Sequence, residues 1–141
     1  MSDITQELTI AATAESVFYA LTLPDRIAEW WSNHVTAALK VGALTEVRFE
    51  NGGVFELKIT DLEVGKKVYW KVMLSPRNWE GSTITWDITP ISSGAKLLFG
   101  QHDLFVGDTG YSIEETYTGW QYFLLSLKSH LEAGKGTPYV Y

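Results

Sequence analysis

The stretch "YTGWQYFLLSLKSHLEAG", residues 117–134, has the period of a long amphipathic helix near the end of the chain. Its large apolar residues recur at steps of three and four along one stripe, which consists of Tyr117, Trp120, Leu124, Leu127 and Leu131. Gly134 follows in the position of a C-terminal cap. Gly119 stands beside Trp120, although glycine costs about 1 kcal/mol in a helix interior. It serves either a close backbone approach or an open space beside the helix.

Upstream of this helix, residues 44–103 alternate between apolar and polar side chains, which predicts about five antiparallel strands. Asn51 and Gly52 form a strong hairpin signal between two of these strands. Trp70 and Trp86 lie in the middle of later strands, on their apolar faces. The sheet is therefore expected to have one buried and one solvated face.

The first 31 residues predict a strand over residues 3–10, followed by two short helices. Thr13 is placed as the N-cap of the first helix, and Pro24 suits the first turn of the second. Trp30 and Trp31 fall on the buried side of that second helix. Because the last helix is the only long apolar stripe available, we expect a curved antiparallel sheet of about six strands wrapped round it. The fold class is α+β, as one domain over residues 1–141.

The overall composition excludes several classes of function. The net charge is −6 and no basic run is present, so neither a nucleic-acid partner nor an anionic membrane surface is expected. The absence of cysteine excludes disulfides and thiol chemistry. No secretory signal or apolar run of about 18 residues occurs, which predicts a cytoplasmic protein without a membrane span. Six tryptophans are unusual for this length and indicate a thick aromatic core or an aromatic-lined pocket.

Four segments together resemble the START-like, helix-grip proteins of the SRPBCC superfamily. They are "ATAESVFYALTLPDRIAEWW" (12–31), "VYWKV" (68–72), "GAKLLFGQHDL" (94–104) and "GWQYFLLSLKSHLEAG" (119–134). The sub-group that they resemble is named after the activator of the heat-shock-protein-90 ATPase. This resemblance implies a helix-grip fold, often with a cavity between the sheet and the C-terminal helix that holds an apolar ligand.

On this interpretation the candidate ligand-binding residues lie on the inner strand faces, the short second helix and the start of the last helix. They are Trp30, Trp31, Trp70, Trp86, Gln101, His102, Tyr117, Trp120 and Leu124. Each has an alternative role: the tryptophans can simply fill the core, and of Gln101 and His102 one is expected to point inward and the other to water.

No convincing catalytic or metal-binding set is present. The three histidines, His34, His102 and His130, are scattered without the spacing of a metal pair. His34 is expected in a loop, and His130 lies near the end of the last helix, where the helix dipole favours positive charge. Asp103 and Asp108 flank a loop and are weak cation candidates. No cofactor is implied, and enzymatic activity is left open.

Three functions are therefore compared. The first is binding of a hydrophobic or aromatic small molecule in the cavity. The second is a protein-interaction module related to the chaperone ATPase activators, which requires an exposed apolar patch beside Trp30 and Trp31. The third is an enzyme similar to polyketide cyclases and dehydratases, for which Gln101, His102 and Tyr117 are the inward-facing candidates. Either a monomer or a homodimer is compatible with the sequence.

Overall fold

The fold is built on one sheet that faces the long C-terminal helix. The computed structural model describes residues 2–50, 53–77, 79–104 and 113–140. The elements, in chain order, are β1 (Ser2–Ile10), α1 (Ala14–Ala20), α2 (Pro24–Ile27), β2 (His34–Thr36), β3 (Leu44–Arg48), β4 (Val54–Glu63), β5 (Lys67–Leu74), β6 (Thr83–Ile91), β7 (Gly94–Leu104) and α3 (Ile113–Ala133). None of the described helices is long and apolar enough to cross a membrane.

The seven described strands form one antiparallel sheet in the spatial order β1-β7-β6-β5-β4-β3-β2. The sequence predicted about six, and the additional strand is β2, which has only three residues. It pairs with β3 through Val35 and Val47, so His34 begins an edge strand and does not lie in a loop. A three-residue strand on the sheet edge is too short to produce an alternating pattern, which is why the sequence did not predict it.

The alternation predicted for the central strands is present. Ile59, Trp70 and Ile84 are cross-strand neighbours on β4, β5 and β6, and each is at most 1% exposed. Register shifts interrupt the β4–β5 ladder at two places. Such bulges bend a strand and increase its twist, which suits a sheet that curves round a helix. β3 and β4 pair as a hairpin, while Asn51 and Gly52 lie outside the described residues.

The apolar stripe of α3 faces the inner side of the sheet. Trp120, Leu124 and Leu127 are buried, and the Trp120 ring lies 4.6 Å from that of Phe99 on β7. Tyr117 was expected on the same stripe, but it is 40% exposed. The buried arc extends instead to Thr116 and Phe123, on the other side of Trp120, which leaves Tyr117 at its edge. Leu131 is half-buried.

The predicted helix ends are confirmed where the structure describes them. The Thr13 hydroxyl accepts the N–H of Ser16 over 3.1 Å as the N-cap of α1. Gly134 follows α3 with φ +76°, and its N–H donates to the carbonyl of His130. Ser112 and Glu115 have the sequence spacing of a capping box for α3, and Ser112 lies outside the described residues.

Candidate functional site

A stack of tryptophans fills the space between the sheet and α3. Trp31 is stacked on Trp30 with ring centroids 5.6 Å apart and on Trp70 at 6.1 Å. Trp86 meets Trp70 and Trp120 edge to face. All five are at most 2% exposed. The centre of the sheet–helix interface is therefore packed, and a pocket lies toward one end of it.

That space is a pocket of about 280 Å³ beside the first two turns of α3. Its walls come from α3, the segment after α2, the β3–β4 hairpin, the β5–β6 loop and the C-terminal tail. Six of its aromatic residues are Trp31, Phe49, Phe55, Trp79, Trp120 and Phe123. Aromatic walls of this kind bury a ligand mainly through apolar and stacking contacts.

The β5–β6 loop supplies one wall through Trp79. This residue is 7% exposed, its ring stacks on Trp120 at 5.6 Å, and it lies 5.0 Å from Phe55. Hydrogen bonds hold the described parts of the loop, since the Ser82 N–H donates to the Trp79 carbonyl and the Arg77 N–H donates to the side-chain hydroxyl of Ser75. Trp79 is not among the nine candidate residues predicted from the sequence. A tryptophan in a polar loop was the available signal that the loop folds inward.

The C-terminal tail supplies the opposite contact through Tyr139. Its N–H donates to the carbonyl of Trp31 over 2.8 Å, and its own carbonyl accepts the Asn33 N–H over 3.0 Å. The Tyr139 ring then lies 5.5 Å from that of Phe49 and lines the pocket. The tail thus follows the segment after α2 and brings a seventh aromatic residue to the site. The sequence gave no periodic signal for this contact.

Gly119 is the place where the helix wall of the pocket lacks a side chain. A Cβ atom built on Gly119 meets no heavy atom within 4 Å in the part of the chain that the structure describes, and the residue lines the pocket. Close backbone approach, one of the two roles considered for it, is therefore wrong. The glycine leaves open space beside Trp120, which answers the question raised by its position in the helix.

The polar groups of the pocket are few. Arg77 from the β5–β6 loop and Glu115 and Thr116 from the first turn of α3 contribute to the lining. The indole N–H of Trp79 is shielded from solvent and has no hydrogen-bond acceptor among the described residues. The described lining therefore combines aromatic walls with the side chains of one arginine, one glutamate and one threonine.

Of the nine candidate residues from the sequence, Trp31 and Trp120 line this pocket. Trp30, Trp70, Trp86 and Leu124 belong to the packed core beneath it. Gln101 is also fully buried there. It accepts the Trp120 N–H over 2.8 Å and donates to the Ser82 hydroxyl over 3.1 Å.

His102 and Tyr117 lie away from the pocket. Nε2 of His102 is 3.0 Å from the Thr85 hydroxyl, and Nδ1 is 3.3 Å from an Asp3 carboxylate oxygen, on the outer side of the sheet. A hydrogen bond from the Asp103 N–H, followed by that of His102, lowers the pKa of Asp3. The backbone carbonyl of Tyr117 accepts from Gln6, while its side chain is exposed. Neither side chain brings an ionisable group into the pocket.

No group of three or more metal-ligating side chains occurs among the described residues. Asp103 is exposed, and Asp108, its partner in the cation hypothesis, lies outside those residues. The described lining of the pocket offers apolar surface, hydrogen-bonding groups and two charged side chains.

Comparison with known proteins agrees with this architecture. The solution structure of the Aha1 dimer from Colwellia psychrerythraea is 34% identical, with a TM-score of 0.84, and the match covers 96% of this chain and 100% of that one. A crystal structure from Mesorhizobium loti is 24% identical, with a TM-score of 0.79 and coverages of 91% and 95%. DynU16, from the dynemicin biosynthetic locus, is 24% identical, with a TM-score of 0.77 and coverages of 95% and 48%. At these identities the last two show the fold alone.

No curated protein matches the chain. Residues 11–132, however, match the family described as Activator of Hsp90 ATPase homolog 1-like protein. Together with the seven-stranded antiparallel sheet and its C-terminal helix, this match means that the chain belongs to the Activator of Hsp90 ATPase homolog 1-like family of START-like, helix-grip proteins.

Proposed function

We propose that this protein binds a small aromatic molecule in the pocket beside Gly119. The observation that carries the proposal is a space of about 280 Å³ whose walls contain seven aromatic residues and into which Gly119 projects no side chain. A helix that needed only a packed core would gain stability from alanine at that position. Glycine therefore keeps this space open at a cost in helix stability, which favours a ligand-binding role for the space.

The size of the pocket limits the ligand. Pockets for drug-sized ligands measure about 300–1,000 Å³, so this one suits a molecule of about one or two rings better than a sterol or a long acyl chain. Apolar surface removed from water contributes about 25 cal/mol per Å², from which the costs of association are subtracted. Stacking on Trp31, Trp79 or Trp120 adds to this.

The enzyme alternative receives less support from the site. It required Gln101, His102 or Tyr117 to bring a reactive group into the cavity, and only Gln101 faces inward, as an amide already bonded to Trp120 and Ser82. The interaction-module alternative required an exposed apolar patch beside Trp30 and Trp31, and these two tryptophans are themselves buried and contribute no surface to such a patch.

The binding proposal is tested by tryptophan fluorescence and thermal shift with fatty acids, flavonoids and one- or two-ring aromatics. A ligand of the native state adds about 2.7 kcal/mol of stability at a hundredfold excess over its Kd. Gly119→Leu fills the pocket while improving helix propensity, so we expect it to abolish binding without lowering the melting temperature. Thr118→Leu is the matched control, because Thr118 is exposed and does not line the pocket. Equal binding by Gly119→Leu and wild type would refute this site.

We also propose a homodimer, because the 34% identical Colwellia protein is described as a dimer. The outer face of α3 is our candidate interface, since Tyr122 and Leu125 are each 55% exposed there. Sedimentation velocity should give a dimer for the wild type and a monomer for Leu125→Glu. Leu98→Glu, a matched change at an exposed residue of β7, should remain dimeric. A monomeric wild type would refute the dimer, and a dimeric Leu125→Glu would refute this interface.

A further inference from the structure

We infer that the outer face of the sheet, at Lys58 on β4 and Lys71 on β5, binds an acidic segment of a partner protein. These two residues are direct cross-strand partners, and both are exposed. The surface lies on the opposite side of the sheet from the aromatic pocket. The inference is therefore independent of the binding function proposed for that pocket.

The alternation along β4 and β5 directs both lysines to the outer face. Ile59, which follows Lys58, and Trp70, which precedes Lys71, pair with each other and are at most 1% exposed. Because successive side chains of a strand point to opposite faces, the two lysines project away from α3. Opposed residues of antiparallel strands have Cβ atoms only about 4.5–5.5 Å apart, so the pair concentrates positive charge at one place.

Neither lysine has a hydrogen bond or an ion pair among the described residues. The other lysines of residues 54–104 each have a carboxylate oxygen at 2.9–3.5 Å, in the pairs Lys66–Glu63, Lys67–Asp61 and Lys96–Glu7. Like charges directly opposite each other destabilise a sheet. The chain has a net charge of −6, yet none of its described carboxylates compensates this pair. A pair that costs stability is explained by an anionic partner.

Exposed apolar side chains beside the lysines define the partner further. Leu44 on β3 is the cross-strand neighbour of Lys58 and is 45% exposed, and Met73 lies two residues after Lys71 and is 47% exposed. Alternate side chains of an extended peptide are about 6.6–6.8 Å apart. Two carboxylates of such a segment can therefore meet the two lysines while a neighbouring apolar residue packs on Leu44 or Met73.

A short protein segment is favoured over a nucleic acid or an anionic membrane. Glu46 and Glu56 are cross-strand partners on β3 and β4, and Glu56 lies two residues before Lys58 on the same face. A continuous anionic surface would bring its charges against these carboxylates as well as against the lysines. A segment of a few residues covers the lysines alone, which also suits a protein whose net charge is −6.

The test titrates the intact protein into two fluorescein-labelled synthetic peptides and follows fluorescence anisotropy at low and high salt. In the first peptide glutamate alternates with serine around a central leucine, and in the second glutamine replaces every glutamate. We expect the glutamate peptide to bind about tenfold more tightly, and high salt to remove the difference. Because an exposed ion pair is worth up to about fivefold in affinity, Lys58→Gln/Lys71→Gln should lose about tenfold for this peptide.

The matched control is Lys66→Gln/Lys96→Gln, which removes two exposed lysines that already have carboxylate partners. It has the same net charge as the double variant at the proposed surface and should keep the wild-type affinity. Lys71→Glu gives a second readout, because it places a carboxylate opposite Lys58. Its melting temperature should rise while the glutamate peptide no longer binds, as expected where binding is maintained at a cost in stability.

The surface is wrong if Lys58→Gln/Lys71→Gln binds the glutamate peptide as tightly as the wild type, or if the control variant loses as much affinity. The proposal is also wrong if the wild type binds neither peptide. Duplex DNA and vesicles of phosphatidylcholine with phosphatidylserine are titrated in parallel. Tighter binding of either one, with the same dependence on the two lysines, would replace the acidic segment with that class of partner.

Discussion

Trp120 donates its indole N–H to the side-chain oxygen of Gln101 over 2.8 Å, at a point where Gln101 is fully buried and Trp120 is 2% exposed. The side-chain amide N–H of Gln101 in turn donates to the hydroxyl of Ser82, the residue directly before β6. The ring of Trp120 is also a wall of the pocket. One amide therefore links α3 to the sheet and fixes the orientation of an aromatic side chain at the site.

Replacing Gln101 with leucine tests this link. The substitution keeps similar volume but leaves the Trp120 N–H and the Ser82 hydroxyl without their partner in a region without solvent. We expect the free energy of unfolding to fall by about 1–3 kcal/mol, the usual cost of an unsatisfied buried group. Urea unfolding followed by circular dichroism measures this, and the near-ultraviolet signal of the tryptophans should change as well.

The control for this experiment is Gln121→Leu, at the residue that follows Trp120 on α3. Gln121 is exposed, so the same chemical change should alter stability by no more than about 0.5 kcal/mol. Indistinguishable urea midpoints for the two variants would mean that the Gln101–Trp120 hydrogen bond does not stabilise the fold.

Gly119→Ala is expected to stabilise the protein. The new methyl group has open space, since no heavy atom of the described residues lies within 4 Å of a Cβ at that position. Alanine also removes the conformational cost of glycine in a helix, worth up to about 1 kcal/mol. The melting temperature should therefore rise. A decrease would show that Gly119 has a structural role that its surroundings do not reveal.

The parts of the fold that the sequence predicted depend on local signals. The Thr13 cap and the Gly134 cap follow from residue types that favour those backbone conformations. The alternation around Trp70 likewise predicted its burial. Each of these features is decided by a few neighbouring residues, and it can therefore be predicted from a single sequence.

The pocket depends on contacts between distant parts of the chain, and the sequence pattern did not predict these contacts. Trp79 is buried because α3 supplies Trp120 as its stacking partner, and Tyr139 reaches the site because the tail pairs beside Trp31. Neither contact leaves a periodic pattern. Tyr117 was placed inward because a helical stripe does not specify which of its edges meets the sheet.

The pH dependence of stability should include a contribution from His130. The Arg26 Nε–H donates to Nε2 of this histidine over 3.3 Å, so the ring is neutral and carries its proton on Nδ1, which has no partner among the described residues. Burial, and then the charge of Arg26, lower the pKa of His130 below its usual 6.5, and Glu29 opposes this more weakly. The C-terminal helix dipole was expected to favour a positive charge here, but these two effects outweigh it.

Because the folded state disfavours the protonated ring, the unfolded chain takes up this proton first as the pH falls. The contribution of His130 is therefore complete above a pH of about 6.5 and is lost as the pH falls from there through the lowered pKa of the folded state. Urea midpoints measured across that interval should decrease in the wild type and change less in His130→Gln. Equal slopes for wild type and His130→Gln would contradict this assignment.

Gly136→Ala should detach the tail that carries Tyr139 to the pocket. A Cβ at Gly136 would lie 2.4 Å from the carbonyl oxygen of Glu29, a backbone atom that cannot move without displacing the segment after α2. We expect a loss of about 1–3 kcal/mol and faster amide hydrogen exchange at Asn33, whose N–H donates to the Tyr139 carbonyl. Gly119→Ala serves as the control, because it makes the same change without a clash and should leave Asn33 protected. Unchanged exchange at Asn33 in Gly136→Ala would show that the tail does not depend on this close approach, and ligand affinity should then also stay at the wild-type value.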